Sequence, residues 1–381
     1  MALDHLILFA GGGTGGHLFP ALAIDEALRS LRNSNTDLAT RQTASRFLCS
    51  ERPIDAKILS EAGVEFSPIP AAPFGIKPRA LYRFISNWGL SVRTAREHIR
   101  RAKRDAQRVH VVAMGGFVAA PCAQAARVEG VPLTLINLDA VPGKANLWIA
   151  RRARRIVSTA PTAQGWREIG PLLRAAALAP DSPAACRALL GLKPDAPTLL
   201  VTGGSLGARS LNQFMLALTR ASASPEGEFA RSLHGWQVIH QTGRDADLVE
   251  LRQAYAAAGV ASHVAEFLNP IGVAWGAADF AVCRAGAGSV AEVAANRVPA
   301  LFLPYPFHKD QHQVRNAERL VSAGAASLST DHIDPAANLR HAGTLLLKAL
   351  LSPDQRARMR AAFSPTASAN AAHELAVSLL V

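Results

Sequence analysis

Cysteine is scarce in this sequence, and its cysteines are not clustered. The 381 residues include four cysteines, far apart and with no C-x-x-C pair. A disulfide framework or a zinc ribbon needs clustered cysteines, so this spacing favours reduced, buried thiols in a cytosolic protein. The four are Cys49, Cys122, Cys186 and Cys283.

Long apolar runs are also lacking. No stretch approaches the roughly 20 apolar residues that a membrane-spanning helix needs. The first residues, "MALDHLILFAGGG", have an apolar run too short for a signal peptide, without a basic leader or cleavage site. If a membrane is involved, we expect the protein to lie on its surface.

Acidic residues are fewer than basic ones. Lys and Arg total 41 against 29 Asp and Glu, a net charge of +12. Such a surplus attracts phosphates, nucleic acid or an anionic membrane face, although an inert basic surface is the alternative. No nucleic-acid-binding module is visible, so we predict no nucleic-acid partner.

A pattern of apolar strand, glycine turn and helix repeats along the chain. It begins at residues 5–10, "HLILFA", before a helical stretch at 21–31 that Pro20 is expected to open. An irregular Ala- and Pro-rich segment without a clear strand, 158–197, separates two halves with the same pattern. The alternation predicts an α/β fold of two Rossmann-like domains with parallel sheets. Residues 371–381 are predicted to form a helix that returns to the first domain.

Four glycine-rich turns follow predicted strands, at residues 11–17, 114–117, 203–208 and 284–289. Backbone N–H groups at the start of a helix form an anion site, and glycine lets a phosphate approach closely. Several such turns predict a ligand with more than one phosphate, bound where the strands end.

Two other phosphate-binding motifs fit less well. The glycines Gly11, Gly13 and Gly16 can be placed on G-x-G-x-x-G, but the acidic ribose ligand of a nicotinamide oxidoreductase is represented only by Asp37. A Walker motif is excluded because no G-K-[ST] follows the glycines.

Longer motifs carry a family resemblance. "GGGTGGHLFPALAIDEAL", "AMGGFVAAPCAQAA", "AVPGKANLWIARRA", "VTGGSLGARSLNQ", "HQTG", "FLNP" and "ADFAVCRAGAGSVAEVAANRVPALFLPYPFHKDQHQVRNAERL" occur in this order. Together they closely resemble the MurG family of peptidoglycan glycosyltransferases. The resemblance implies a GT-B fold, in which two Rossmann-like domains face each other across a cleft. It also implies an inverting enzyme that moves N-acetylglucosamine from UDP-GlcNAc to lipid I, making lipid II.

The same resemblance assigns the domains. Residues 1–160, joined by a C-terminal helix at 365–381, are expected to bind the undecaprenyl-linked acceptor, lipid I. Residues 161–364 are expected to bind UDP-GlcNAc. No cofactor and no bound metal are expected.

The expected acceptor site lies on the first two glycine turns. By resemblance, His17 is the base that takes the proton from the acceptor hydroxyl, a role that suits histidine near neutral pH. The alternative is a histidine that only hydrogen-bonds substrate or caps the helix. The residues assigned to the acceptor diphosphate are Thr14, Gly15, Gly16, Gly115, Gly116 and Asn146.

The expected donor site lies in the second half. By resemblance, Ser205 contacts phosphate, the backbone of Leu268 reads uracil, and Glu292 accepts hydrogen bonds from the ribose hydroxyls. Solvated surface residues are the alternative for Glu292 and for Arg174. The full donor set is Arg174, Ser205, Leu268, Glu292, His312 and Gln313. His308 and His312 have H-x-x-x-H spacing, but no Glu follows His308 and no third ligand is evident, so metal is not predicted.

One stretch departs from the family pattern. Relatives have H-E-Q-N before "AVPGKAN", whereas this chain has "INLD" at 136–139, so the family's Glu is replaced by Asn137 and its Asn by Asp139. Asp139 is expected to substitute in part. The departure keeps open a related transferase with a different lipid acceptor. A catalytically silent nucleotide-sugar-binding homologue is the other alternative, and intact His17, Glu292 and Gln313 argue against it.

Residues 73–104 mix aromatic and basic side chains, a composition that suits a membrane interface. In the family this region docks on the membrane, which implies a peripheral protein on the anionic cytoplasmic face of the cell membrane. A core helix with a solvated basic face is the alternative. The patch residues are Phe74, Ile76, Lys77, Arg79, Phe84 and Trp88.

Overall fold

The computed structural model describes residues 3–13, 15–32, 42–75, 77–204, 207–243, 247–307, 311–364 and 370–381. Its strands are β1 Leu3–Ala10, β2 Thr43–Ser50, β3 Phe66–Ile69, β4 Ala106–Ala113, β5 Leu133–Asn137, β6 Arg155–Ser158, β7 Arg167–Glu168, β8 Thr198–Thr202, β9 Gln237–Gln241, β10 Ser262–Ala265, β11 Phe280–Cys283, β12 Ala300–Phe302 and β13 Ala326–Leu328. Its helices are α1 Gly15–Arg32, α2 Pro53–Glu61, α3 Pro78–Asp105, α4 Gly116–Val128, α5 Lys144–Ala150, α6 Pro183–Leu189, α7 Arg209–Ala223, α8 Asp247–Ala257, α9 Ile271–Ala277, α10 Ala287–Asn296, α11 His312–Ser322, α12 Pro335–Asn338, α13 Thr344–Leu351, α14 Pro353–Ala361 and α15 Ala372–Leu380. A 3-10 turn spans Ala175–Ala177 and a π-helical turn spans Leu339–Gly343.

The chain forms two compact units. The first contains the residues up to Arg174 together with 370–381, and the second contains 175–369. The first unit therefore runs beyond residue 160, at which the sequence analysis ended the first domain. The helix α15 belongs to the first unit and packs against α1.

Each unit is built on one parallel sheet. The first sheet has the order β3-β2-β1-β4-β5-β6-β7 and the second has the order β10-β9-β8-β11-β12-β13. In both sheets the strand order changes direction next to the strand that comes first in the chain. This point lies between β1 and β4 in the first sheet and between β8 and β11 in the second. Ligands of such sheets bind at this switch point, beyond the carboxyl ends of the strands. The four predicted glycine turns follow these four strands.

The apolar runs become strands buried on both faces, as expected for parallel sheets. In β8, Leu199 and Val201 belong to one hydrophobic core and Leu200 to another, because alternate side chains point to opposite faces. In β1, Phe9 packs on Phe47 of β2, with ring centroids 5.1 Å apart.

Two expectations about local structure were wrong. Pro20 does not open α1, which already begins at Gly15, so the proline lies inside the helix. The glycine turn is shorter than predicted, and the helix starts as soon as the chain leaves it. The segment 158–197 was expected to lack strands, but it contains the two-residue β7, which pairs with β6.

The C-terminal helix supplies a test of this architecture. Leu375 on α15 is 2% exposed. Truncation of a buried leucine costs about 2–5 kcal/mol, because it removes apolar contacts and leaves a cavity. Leu375→Ala should therefore lower the thermal unfolding temperature measured by circular dichroism. The control is Leu351→Ala, at a site 66% exposed. Equal unfolding temperatures for the two variants would contradict the docking of α15.

Candidate active site

The first glycine turn is held by a buried carboxylate. Asp55 is fully buried, and its Oδ2 accepts hydrogen bonds from the Gly13 N–H at 2.7 Å, the Ser50 N–H at 3.0 Å and the Ser50 hydroxyl at 2.6 Å. Arg52 donates to the Gly13 carbonyl at 2.7 Å. Gly13 has a φ of +90°, a conformation that favours glycine. The turn is therefore held by hydrogen bonds to both the N–H and the carbonyl of Gly13. Thr14 lies outside the described residues.

Sequence reasoning missed Asp55 and Arg52. Both lie in the short polar stretch "SERPID" that directly follows the apolar end of β2. A polar stretch at the carboxyl end of a strand next to β1 was the available signal. The pairing of β1 with β2 brings the start of this stretch to the level of the first glycine turn.

The second glycine turn accommodates the imidazole of His17. Gly115 and Gly116 have φ values of +97° and +77°. A Cβ at Gly115 would lie 3.2 Å from His17 Nε2 and 2.9 Å from Asn146 Oδ1. A Cβ at Gly116 would lie 3.4 Å from His17 Nδ1. The structure thus brings His17, Gly115, Gly116 and Asn146 together, and the close approach depends on glycine at both positions of the turn.

The environment of His17 favours its neutral form. Burial lowers the pKa of His17, and the nearby carboxylates of Asp139 and Asp55 raise it by less. Its Nδ1 is buried and makes no hydrogen bond to any of the described residues. A neutral imidazole at neutral pH is able to accept a proton from a bound hydroxyl group.

The "INLD" stretch forms a hydrogen-bonded amide chain next to this site. Asn146 Nδ2 donates to Asn137 Oδ1 at 2.9 Å, and Asn137 Nδ2 donates to the Asp139 carbonyl and to Ser158 Oγ. Asn137 is fully buried. Asn137 therefore orients Asn146, while Asp139 supplies a negative charge that raises the pKa of His17.

The glycine turn after β8 in the second unit is hydrogen-bonded to the end of a neighbouring strand. Gln241, the last residue of β9, donates to the Gly204 carbonyl at 2.8 Å and accepts from the Leu268 N–H at 3.2 Å. It connects the glycine turn after β8 with the segment expected to read uracil. Sequence reasoning assigned Gln241 no role, although the "HQTG" motif contains it. Ser205 lies outside the described residues.

Glu292 and Gln313 are held in place by specific hydrogen bonds. Glu292 Oε2 on α10 accepts from the indole N–H of Trp275 at 2.9 Å, and Trp275 is 1% exposed. Gln313 Oε1 accepts from the Tyr305 N–H at 2.8 Å. His312 is the first residue of α11, directly before Gln313.

Arg174 contacts an aromatic ring, and one histidine of the H-x-x-x-H pair is not described. Arg174 belongs to the first unit, where its guanidinium lies 4.4 Å from the ring centre of Phe19, so its donor role stays a prediction. His308 lies outside the described residues. Within the described ranges, no three His, Cys, Asp or Glu side chains are grouped as metal ligands.

The first half of α3, with the residues before it, forms an exposed apolar and basic surface, which we call the α3 patch. The exposed fractions of its apolar side chains are 57% for Phe74, 73% for Tyr82 and 64% for Ile85. Phe84 and Trp88 are half-buried and pack against each other, with ring centroids 5.5 Å apart and planes tilted by 44°. Lys77 and Arg79 are exposed, and Ile76 lies outside the described residues. Among the described residues, no helix has the length and apolar character to cross a bilayer.

Comparison with known proteins shows the family to which the chain belongs. Residues 7–158 match the glycosyltransferase family 28 N-terminal domain, and residues 198–375 match the C-terminal domain of that family. A UDP-N-acetylglucosamine–N-acetylmuramyl-(pentapeptide) pyrophosphoryl-undecaprenol N-acetylglucosamine transferase of Nocardioides sp. is 35% identical over 85% of this chain and 84% of its own. The protein of the same name from Verminephrobacter eiseniae is 36% identical over 85% of each chain.

The solved structures agree on the fold. The crystal structure of Acinetobacter baumannii MurG matches with a TM-score of 0.70, 24% identity and 99% coverage of both chains. The two parallel-sheet units and this match confirm the predicted GT-B fold class, and the family 28 domains define the chain as a glycosyltransferase. The chain belongs to glycosyltransferase family 28 and, within it, to the MurG family.

The charges around His17 give a first test of the site. Asp139→Asn should lower the pKa of His17 further, because it removes a negative charge that stabilises the imidazolium. Asp55→Asn should lower it by a smaller amount. Histidine NMR titration measures both effects, with the exposed Asp354→Asn on α14 as the control. An unchanged or raised His17 pKa in Asp139→Asn would contradict the described electrostatics.

Proposed function

We propose that this chain transfers N-acetylglucosamine from UDP-GlcNAc to lipid I, forming lipid II. The observation that carries the proposal is the approach of His17, whose pKa burial lowers, to a glycine turn, in a chain that is 35–36% identical to transferases of this name. The first unit would bind the acceptor and the second unit would bind the donor.

The reaction is a single displacement with inversion. The acceptor hydroxyl oxygen attacks the anomeric carbon of GlcNAc, and its proton passes to the imidazole of His17. The bond from the anomeric carbon to the UDP oxygen breaks, and the electron pair leaves with UDP. The sugar becomes bonded to the acceptor oxygen, and His17 carries one additional proton until solvent removes it.

Two glycine turns in the first unit fit the acceptor diphosphate. The turns precede the N-termini of α1 and α4, where backbone N–H groups and the helix dipole favour an anion. Asp55 and Arg52 hold the first turn rigid, so its N–H groups need little reorganisation when charge arrives. We assign Thr14, Gly15, Gly16, Gly115, Gly116 and Asn146 to this site.

The second unit fits the nucleotide. The turns after β8 and β11 again precede helices, and their dipoles would stabilise the departing diphosphate. Glu292, oriented by Trp275, is suited to accept from the ribose hydroxyls. We assign Arg174, Ser205, Leu268, Glu292, His312 and Gln313 to the donor. The step as written uses no cofactor and no metal.

A different lipid acceptor is the second candidate, favoured by one observation. The family's glutamate position is occupied by the buried, neutral Asn137, which hydrogen-bonds protein groups. Labelled UDP-GlcNAc with a lipid I analogue should give labelled lipid II. The second candidate would be favoured if UDP-GlcNAc is hydrolysed, or not used at all, in the presence of the lipid I analogue. It would also require transfer of the sugar to another polyprenyl diphosphate.

We also propose that the α3 patch docks the protein on the anionic cytoplasmic membrane surface. Exposed aromatic and aliphatic side chains beside Lys77 and Arg79 combine apolar insertion with charge attraction. The membrane-embedded acceptor would then meet its site without leaving the bilayer.

The base assignment has a direct test. His17→Ala should lower turnover by roughly 10²–10⁴-fold, because general-base catalysis is lost. Its affinity for UDP, measured by calorimetry, should stay unchanged. Glu292→Gln is the complementary variant: it keeps an acceptor for Trp275 but loses the charge, so UDP should bind about tenfold more weakly. Near-normal turnover of His17→Ala would reject the base role.

Docking is tested with phosphatidylglycerol vesicles across a salt series. Salt screens the charge attraction but not apolar insertion, so wild-type binding should fall to a residual level rather than to zero. Tyr82→Ser with Ile85→Ser should remove this residual binding. The matched control is Val249→Ser with Leu351→Ser, at sites 59% and 66% exposed in the second unit. Equal residual binding by both double variants would place docking elsewhere.

A further inference from the structure

A second cavity lies in the first unit, away from the glycine turns. Its volume is about 670 Å³, and it is lined by the amino-terminal ends of β1, β4, β5 and β6 and by Ser378, Leu379 and Val381. The glycine turns lie at the carboxyl ends of β1 and β4, so the two sites occupy opposite edges of one sheet. The volume is within the range of about 300–1,000 Å³ that small-molecule sites have.

The lining of this cavity is strongly basic. It contains no Asp or Glu side chain among the described residues. Its basic side chains are His5, Lys103, Arg108, His110, Arg154 and Arg155. A smaller cavity of about 270 Å³ shares Arg154 and adds Arg127 and Arg152, so the basic surface continues beyond the main cavity.

Two of these arginines have no side-chain partner among the described residues. Within the described part of the chain, no hydrogen bond or ion pair involves the side chain of Arg108 or Arg154. By contrast, Lys103 donates to the Glu129 carbonyl and Arg155 donates to Ser378 Oγ at 2.8 Å. Arg108 and Arg154 therefore have their guanidinium donors available for an anion.

The cations around the cavity repel one another. His110 Nε2 lies 2.8 Å from Thr134 Oγ1 on β5. Burial lowers the pKa of His110 to about 4, and Arg155, Arg154 and His5 lower it too. Burial and the nearby Arg167 also lower the pKa of Arg155, and Glu374 raises it by less. A bound anion would relieve this repulsion.

We propose that this basic cavity is a second binding site, which takes a soluble anion carrying one or more phosphate groups. Arg108 and Arg154 would bind the phosphate oxygens, since guanidinium groups match their geometry. A lipid headgroup has the same chemistry but fits the position less well. From Ile85 in the α3 patch to Lys103 at the cavity, α3 extends by roughly 27 Å, more than three times the Debye length of about 8 Å.

The probe for this site is inorganic pyrophosphate, added to the full-length protein in calorimetry. Arg108→Gln with Arg154→Gln should weaken its binding at this site by about tenfold or more, because two charged hydrogen-bond donors are lost. The control is Arg358→Gln with Arg360→Gln on α14, two exposed arginines that carry the same charge change. Matching circular dichroism melting curves would show that both double variants are folded.

A local readout separates this cavity from the glycine turns, which also attract pyrophosphate. The NMR signals of the His110 ring should shift with pyrophosphate, and its pKa should rise, because a nearby anion stabilises the imidazolium. The wild type and the control variant should show this shift, and Arg108→Gln with Arg154→Gln should not.

Three outcomes would overturn the proposal. The first is pyrophosphate binding that does not perturb His110. The second is equal binding by the two double variants. The third is no pyrophosphate binding at all, with phosphatidylglycerol vesicle binding lost in Arg108→Gln with Arg154→Gln, which would assign the cavity to lipid headgroups.

Discussion

The approach of the His17 ring to the turn at Gly115 and Gly116 is the constraint on which the proposed chemistry depends. Any Cβ on these two residues would meet the imidazole within 3.4 Å. The packing buries Nδ1 and lowers the pKa of His17, so the same contact that orients the ring also keeps it neutral. Asp55 stabilises the first glycine turn, because its carboxylate accepts a hydrogen bond from the Gly13 N–H.

Both units have the same arrangement of strands, turns and helices. In each sheet the two central strands end in glycine turns, and a helix begins directly after each turn. This arrangement directs backbone N–H groups at the space beyond the strands, which suits the diphosphates of both substrates. Polar residues also lie at or just after the ends of the neighbouring strands. They are Asn137 and Asp139 in the first unit and Gln241 in the second.

Much of the fold could be predicted from the sequence, because buried parallel strands read as short apolar runs bounded by glycine. This signal identified β1, β4, β8 and β11 with the turns that follow them. It did not identify the peripheral strands β3 and β13, which are short, or the two-residue β7. The start of α1 was wrongly predicted at Pro20, because the turn before α1 is shorter than its glycine content suggests.

The site was predicted less completely, since hydrogen bonds between distant segments leave no local pattern. Asp55 lies 42 residues from the Gly13 that it holds, and Gln241 lies 27 residues from Leu268. The aromatic patch was predicted as a composition, but sequence could not separate the half-buried Phe84 from the exposed Tyr82. That separation depends on ring contacts, since Phe84 packs between Phe74 and Trp88.

The pH dependence of kcat/KM tests the central claim most directly, because this parameter reports the pKa of the base in the free enzyme. If His17 is the base, the rate stays level through neutral pH and falls only below its lowered pKa, because protonation removes the acceptor for the proton. In Asp139→Asn this acidic fall should move to still lower pH, since the charge that raises the His17 pKa is lost. A fall that begins above pH 7, or one that Asp139→Asn leaves in place, would contradict the account.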